Sequence, residues 1–122
     1  MKIEHIVEKG ISIAVVFGEE KVITDIQTAL DLLMTVRYET GADCMILDKN
    51  IVCEDFFVLS TGLAGEILQK FINYGVKAAF YGTYSHYTSK PLKDFIYESN
   101  KGKDFYFVST KEEAIQKLLN AF

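Results

Sequence analysis

The sequence predicts an α/β fold: one domain over residues 1–122, built on a five-stranded mixed, mostly parallel sheet with helices on both faces. Three observations carry that reading. Short apolar runs alternate with amphipathic stretches of helical period, which is the pattern of βαβ units. The runs ISIAVVF, MIL, VKAAFYG and FYFV are apolar almost throughout, as strands covered on both faces must be. A chain of 122 residues can bury roughly two-thirds of its unfolded surface around one core, and no linker interrupts it.

Taken in order, the first two strands are Lys2–Glu8 and Ile11–Phe17, joined at Lys9-Gly10. So short a connection forces them antiparallel. The remaining strands, residues 45–47, 76–82 and Phe105–Val108, enter by crossovers and run parallel. Helix one opens at Thr24, with Gln27 three positions on completing a capping box. It shows Ile26, Ala29, Leu30 and Leu33 on one face and closes at Gly41 in a left-handed cap.

The second helix lies within CEDFFVLSTGLAGEILQKF and has two candidate starts. From Asp55, a wheel of 100° per residue puts Phe56, Ser60, Leu63, Ala64, Ile67, Leu68 and Phe71 on one side, so that Ser60 is a buried helical residue facing the sheet. From Ser60 or Thr61, the hydroxyls stand at an exposed N-terminus where free amides and the helix dipole favour a phosphate. The wheel favours the first start. Ser89 and Pro91 begin a third helix through Leu92, Phe95 and Ile96, ending near Gly102. The last helix follows Ser109 and Thr110, with Ala114, Ile115, Leu118 and Leu119 as its stripe.

Charge and composition exclude several function classes. With 13 basic against 17 acidic side chains, the net charge of -4 leaves no broad positive field for a phosphate backbone or an anionic membrane surface, so nucleic acid and membrane are not expected partners. No apolar run approaches the ~20 residues of a spanning helix, and the MKIEHIVEKG start, with acids and a His among its first ten residues, is unlike a signal peptide. The expectation is a cytoplasmic protein. Cys44 and Cys53 have no Cys or His at metal-ligand spacing, and the two histidines, His5 and His86, lie far from them in sequence. Both thiols read as small buried apolar groups in a reducing compartment, and neither a metal nor a cofactor is expected.

The order of an antiparallel pair, a helix, MILD, a loop, STGLAGEIL, a strand ending at Gly82, another helix, and a strand followed by STKEEAIQKLL resembles the STAS domain, the anti-sigma-factor antagonist fold. More closely, CEDFF, LAGEILQKFINY, YTSKPLKDFIYESNKGKDFYFV and EEAIQKL are similar to a bacterial family, domain of unknown function DUF4180. STAS antagonists carry Asp-Ser-Ser-Gly-Leu at the start of helix two, where a partner kinase phosphorylates the serine to break a protein complex. The resemblance therefore implies Ser60 and Thr61 as phosphoacceptors. In that register Leu59 stands where the aspartate belongs; aligning Asp55 instead puts Phe56 and Phe57 in place of the serines.

Ligands of open α/β sheets gather at the carboxyl ends of the strands. That rule places Gly18, Glu19, Asp48, Lys49, Asn50 and Ser109 on one rim, with the polar loop 82–90, GTYSHYTSK, facing it. Tyr84, His86, Tyr87 and Lys90 are then expected to meet Asp48 and Lys49 across a shallow pocket. No Walker or dinucleotide glycine pattern is present, and no nucleophile accompanies His86 and Asp48 at a familiar spacing, so no catalytic residue is assigned. Two functions follow. One is a non-catalytic regulatory module that docks a protein partner or its own copy through the side of helix two. The other is a small-molecule or nucleotide binder, or minor enzyme, using the loop from Gly82 to Lys90.

Overall fold

The computed structural model describes residues 1–122. One sheet runs in the order β1 (Lys2–Glu8), β2 (Ile11–Phe17), β3 (Cys44–Asp48), β4 (Lys77–Tyr81), β5 (Phe105–Val108). β1 is antiparallel to β2, and every other neighbouring pair is parallel. Lys9 and Gly10 both take positive φ, 52° and 75°, as the first hairpin needs if its twist is to match the strands. β3 is longer than expected because Cys44 and Asp48 also pair, with Lys77 and Tyr81. Val76 stays outside β4, since its N–H donates to Phe71 O at 2.9 Å and closes the helix before it.

The helices are α1 (Ile26–Thr40), α2 (Leu63–Asn73), α3 (Lys90–Lys101) and α4 (Lys111–Asn120). Because each parallel crossover steps to the adjacent strand in one direction with one hand, the three crossover helices share a face. There α1, α2 and α3 pack on Ala14, Val16, Met45, Leu47, Ala78, Phe80 and Phe107. Leaving the last strand, α4 covers the other face over Ile13, Val15, Cys44, Ile46, Ala79, Tyr106 and Val108. Helices thus occupy both faces, and the sheet divides the interior into two apolar layers rather than one core.

Helix boundaries follow their caps. Gly41 closes α1 at φ 63° and donates to Arg37 O. The opening cap is one residue later than expected: Asp25, not Thr24, accepts from the Thr28 N–H at 2.8 Å, and the Thr28 hydroxyl accepts from the Asp25 N–H at 3.0 Å. Ser89 caps α3 and Thr110 caps α4.

The expected start of α2 at Asp55 is wrong, and with it the burial of Ser60. Between β3 and α2 the chain makes three 3-10 turns, Lys49–Ile51, Glu54–Phe57 and Leu59–Thr61, and α2 begins only at Leu63 after Gly62 at φ 76°. Ser60 is exposed in the last turn. The cause is upstream: Val22 and Ile23 N–H donate to Ile51 O, and Cys53 N–H donates to Ile23 O, which pins residues 51–53 beside the chain entering α1. From that anchor a short-turned path sends Phe56 and Phe57 into the interior in succession and leaves Ser60 on the surface.

Candidate functional site: a polar cleft at the sheet rim

β3, β4 and β5 end side by side, and the residues that follow them form the site. Asp48 accepts from the Asn50 N–H at 2.9 Å, which turns the chain sharply and sets Lys49 across the end of β4. Gly82 permits that crossing: a Cβ there would stand 2.7 Å from Lys49 Cβ. Downstream, Phe56 packs against the stacked Phe80 and Phe107, with ring centroids 5.3 and 6.4 Å away, while Phe57 stacks on Tyr87 at 5.6 Å and leans on Tyr84 at 5.9 Å. Loop 82–90 is held down from its own side, since the Tyr84 hydroxyl donates to Phe80 O and the Tyr87 hydroxyl to Glu54 Oε2, each at 2.9 Å.

Lys49 lies at the centre. Its Nζ is 3.2 Å from Glu54 Oε1 and sits over the rings of Phe57 and Tyr87 at 4.7 and 4.9 Å, and its side chain keeps only 12% of its exposure. This is a cation on an aromatic bed, tied to one carboxylate. Burial alone would raise the Glu54 pKa, but the Tyr87 hydroxyl and the Lys49 ammonium outweigh it and hold the carboxyl below its ordinary value. Burial and the adjacent Glu54 carboxylate push the Tyr87 phenol up; burial, then Tyr87 and Asp48, push Tyr84 up. Both phenols therefore stay protonated as donors.

Two recesses flank this strut and share His86, which rests on Tyr87 with centroids 4.1 Å apart. The first, about 560 Å³, is polar and opens between β3, β4 and β5; Asp48, Asn50, Glu54, Tyr81, Thr83 and Ser109 line it with Lys49, Gly82 and His86. The second, about 360 Å³, is half apolar and runs from Phe57–Ser60 across Tyr87 to Pro91 and Leu92.

Of the expected rim residues, Asp48, Lys49, Asn50, His86 and Ser109 line the polar cleft, and Tyr87 and Tyr84 form the aromatic bed beneath Lys49. Lys90 does not join them. As the first residue of α3 it turns along the helix to pair with Asp94 at 2.7 Å. Gly18 also stands apart, near Met1 and Ile51, and Glu19 beside it is exposed. Ser60 and Thr61 differ from each other: Thr61 donates to Asp55 O and Val58 O, both at 2.9 Å, whereas the exposed Ser60 hydroxyl makes no hydrogen bond within the chain and borders the second recess.

Sequence reasoning missed Glu54, Phe57, Tyr81 and Thr83. A helix starting at Asp55 leaves Glu54 just ahead of it and Phe57 within its first turn, and the remaining signal, three aromatics at Phe57, Tyr84 and Tyr87 around one lysine, is visible only once the loops meet. No group of three or more His, Cys, Asp and Glu side chains is spaced to hold a metal ion, and no helix is long and apolar enough to cross a membrane.

A family model described as Domain of unknown function (DUF4180) matches residues 8–118. No curated protein matches the chain.

Proposed function

The chain belongs to the DUF4180 family, a domain of unknown function, and from that premise we propose that it is a small-molecule-binding module whose ligand sits in the polar cleft at the carboxyl ends of β3, β4 and β5. The observation that carries the reading is the chemistry of the lining. Asp48, Glu54, Asn50, Tyr81, Thr83, His86 and Ser109 offer hydroxyl, amide, imidazole and carboxylate groups in one concave place over a braced floor. The only cation there, Lys49, is covered and already neutralised by Glu54, so no free positive charge remains to hold a phosphate. With Asp48 in addition, the cleft is acidic. The ligand class that fits is a small hydroxyl-bearing molecule, neutral or cationic, rather than a nucleotide.

A thermal-shift screen of sugars, polyols, nucleosides and small amines tests this. A ligand at ~100 times its dissociation constant adds about 2.7 kcal/mol of stability. The expected result is a stabilising compound whose effect is lost in Ser109→Ala and Asp48→Asn. Shifts that survive both substitutions, or a panel with no shift, would overturn the proposal.

A second reading, a regulatory protein-interaction module with the sheet architecture of anti-sigma-factor antagonists, is supported by the exposed, unbonded Ser60 hydroxyl beside a half-apolar recess and the 48% exposed Val58. In that reading Ser60 accepts the phosphate and Thr61, held by two carbonyls, does not. Mass spectrometry of the protein isolated from its own cells would find phosphate on Ser60; an unmodified Ser60 peptide under all growth conditions sinks the idea.

A further inference from the structure

We propose that the outer edge of β1 pairs with β1 of a second copy of this chain, joining two five-stranded sheets into one about a twofold axis through His5. The two edges of the sheet are built differently. At β5 the side chain of Asn100 takes the place of a further strand: the Phe107 N–H donates to Asn100 Oδ1 at 2.7 Å, and Asn100 Nδ2 donates to Phe107 O at 3.0 Å. A side-chain amide offers the same donor and acceptor as a peptide group, so that edge is capped at Phe107. Nothing closes β1. Its one backbone partner is β2, and its side chains make only the His5–Ser12 bond and the Glu4–Lys111 ion pair at 3.8 Å.

Charged residues on an edge strand ordinarily discourage pairing. In KIEHIVE their placement is instead complementary to itself. Antiparallel pairing centred on His5 sets Lys2 against Glu8 at both ends, Ile3 against Val7, and Glu4 against Ile6. Neither Lys2 nor Glu8 makes an ion pair inside the chain, and Val7 is 65% exposed. Other registers fail on simple grounds. A slip of one sets outward-facing peptide groups against inward-facing ones. The neighbouring permitted registers put Glu4 opposite its own copy or opposite Glu8, facing like charges across the ladder. Alternation also keeps Ile3, His5 and Val7 of both copies on the face of Val16, Ala14 and Ser12, so the paired strands continue one pleated surface.

Sedimentation velocity of the full chain over a range of concentrations tests the proposal. The wild type is expected to dimerise, and Lys2→Glu and Glu8→Lys are each expected to raise the dissociation constant by about tenfold or more, since the twofold axis places each substitution in two like-charge contacts. The double variant Lys2→Glu/Glu8→Lys re-forms both pairs with the charges exchanged and should restore the dimer. Val7→Lys, at a solvent-facing position that does not endanger folding, should also dissociate it. Circular dichroism verifies that each variant is folded. A wild type that stays monomeric at every concentration, a double variant no tighter than the single ones, or a dimer indifferent to all of these changes would each overturn the assignment.

Discussion

At the scale of single residues, the site rests on hydrogen bonds that set charge. The Tyr87 hydroxyl on Glu54 is one of the forces that hold that carboxyl below its ordinary pKa, so Tyr87→Phe is expected to move the Glu54 titration upward, as followed by carboxyl NMR. A depressed carboxylate contributes stability that is present above its unfolded pKa and lost as pH falls through the folded one. The stability gap between wild type and Tyr87→Phe should therefore narrow in acid. A Glu54 titration unmoved by the substitution would show that the neighbouring lysines, and not Tyr87, hold it down. Ser60 gives the second prediction at this scale. Exposed in a 3-10 turn, it should accept Ser60→Asp with a change of only about 0.5 kcal/mol or less in thermal denaturation, whereas a loss of several kcal/mol would mean that the side chain is buried after all.

At the scale of elements, the junction of β4 with the turn after β3 is the tightest point of the rim. Gly82 has no side chain because the first carbon of Lys49 occupies the space, 2.7 Å from where a Cβ would stand. That atom is anchored to the backbone and cannot swing aside as a lysine tip could. Gly82→Ala should cost about 1–3 kcal/mol and displace Lys49 from the aromatic bed. Chemical denaturation measures the first effect, and a shift of the Tyr87 and Tyr84 ring resonances reports the second. A variant with parental stability and unchanged resonances would mean that the turn relaxes freely and the cleft floor is not braced there.

At the scale of the whole molecule, the two apolar layers are not separable units. Alternate residues of one strand serve opposite layers: Val15 faces α4 while Val16 faces the crossover helices, and Ile46 and Leu47 divide in the same way. Losing either layer uncovers half of every central strand. Leu118→Ala, in the smaller layer beneath α4, should therefore destabilise the chain by about 2–5 kcal/mol. It should also lower the melting midpoint equally for near-ultraviolet tyrosine signals and for far-ultraviolet helix signal. Separate transitions for the two probes would show that α4 unfolds independently.

Features that depend on local pattern and on topology are legible in the chain. Apolar runs placed the strands, Lys9-Gly10 made the first pair antiparallel, and Gly41 ended α1, because each of these is dictated by residues close together in the chain. The meeting of His86, Tyr84 and Tyr87 with Asp48 and Lys49 was legible too, since parallel strands must bring their carboxyl ends to one rim. Where α2 begins is not legible there, because the bridge between Ile23 and Val52 joins segments distant in sequence and overrides the helical period that would bury Ser60. The tertiary structure also chose Glu54 as the partner of Lys49 and turned Lys90 away toward Asp94. Long polar side chains have several partners within reach, and which one they take depends on the surface that the rest of the fold leaves open.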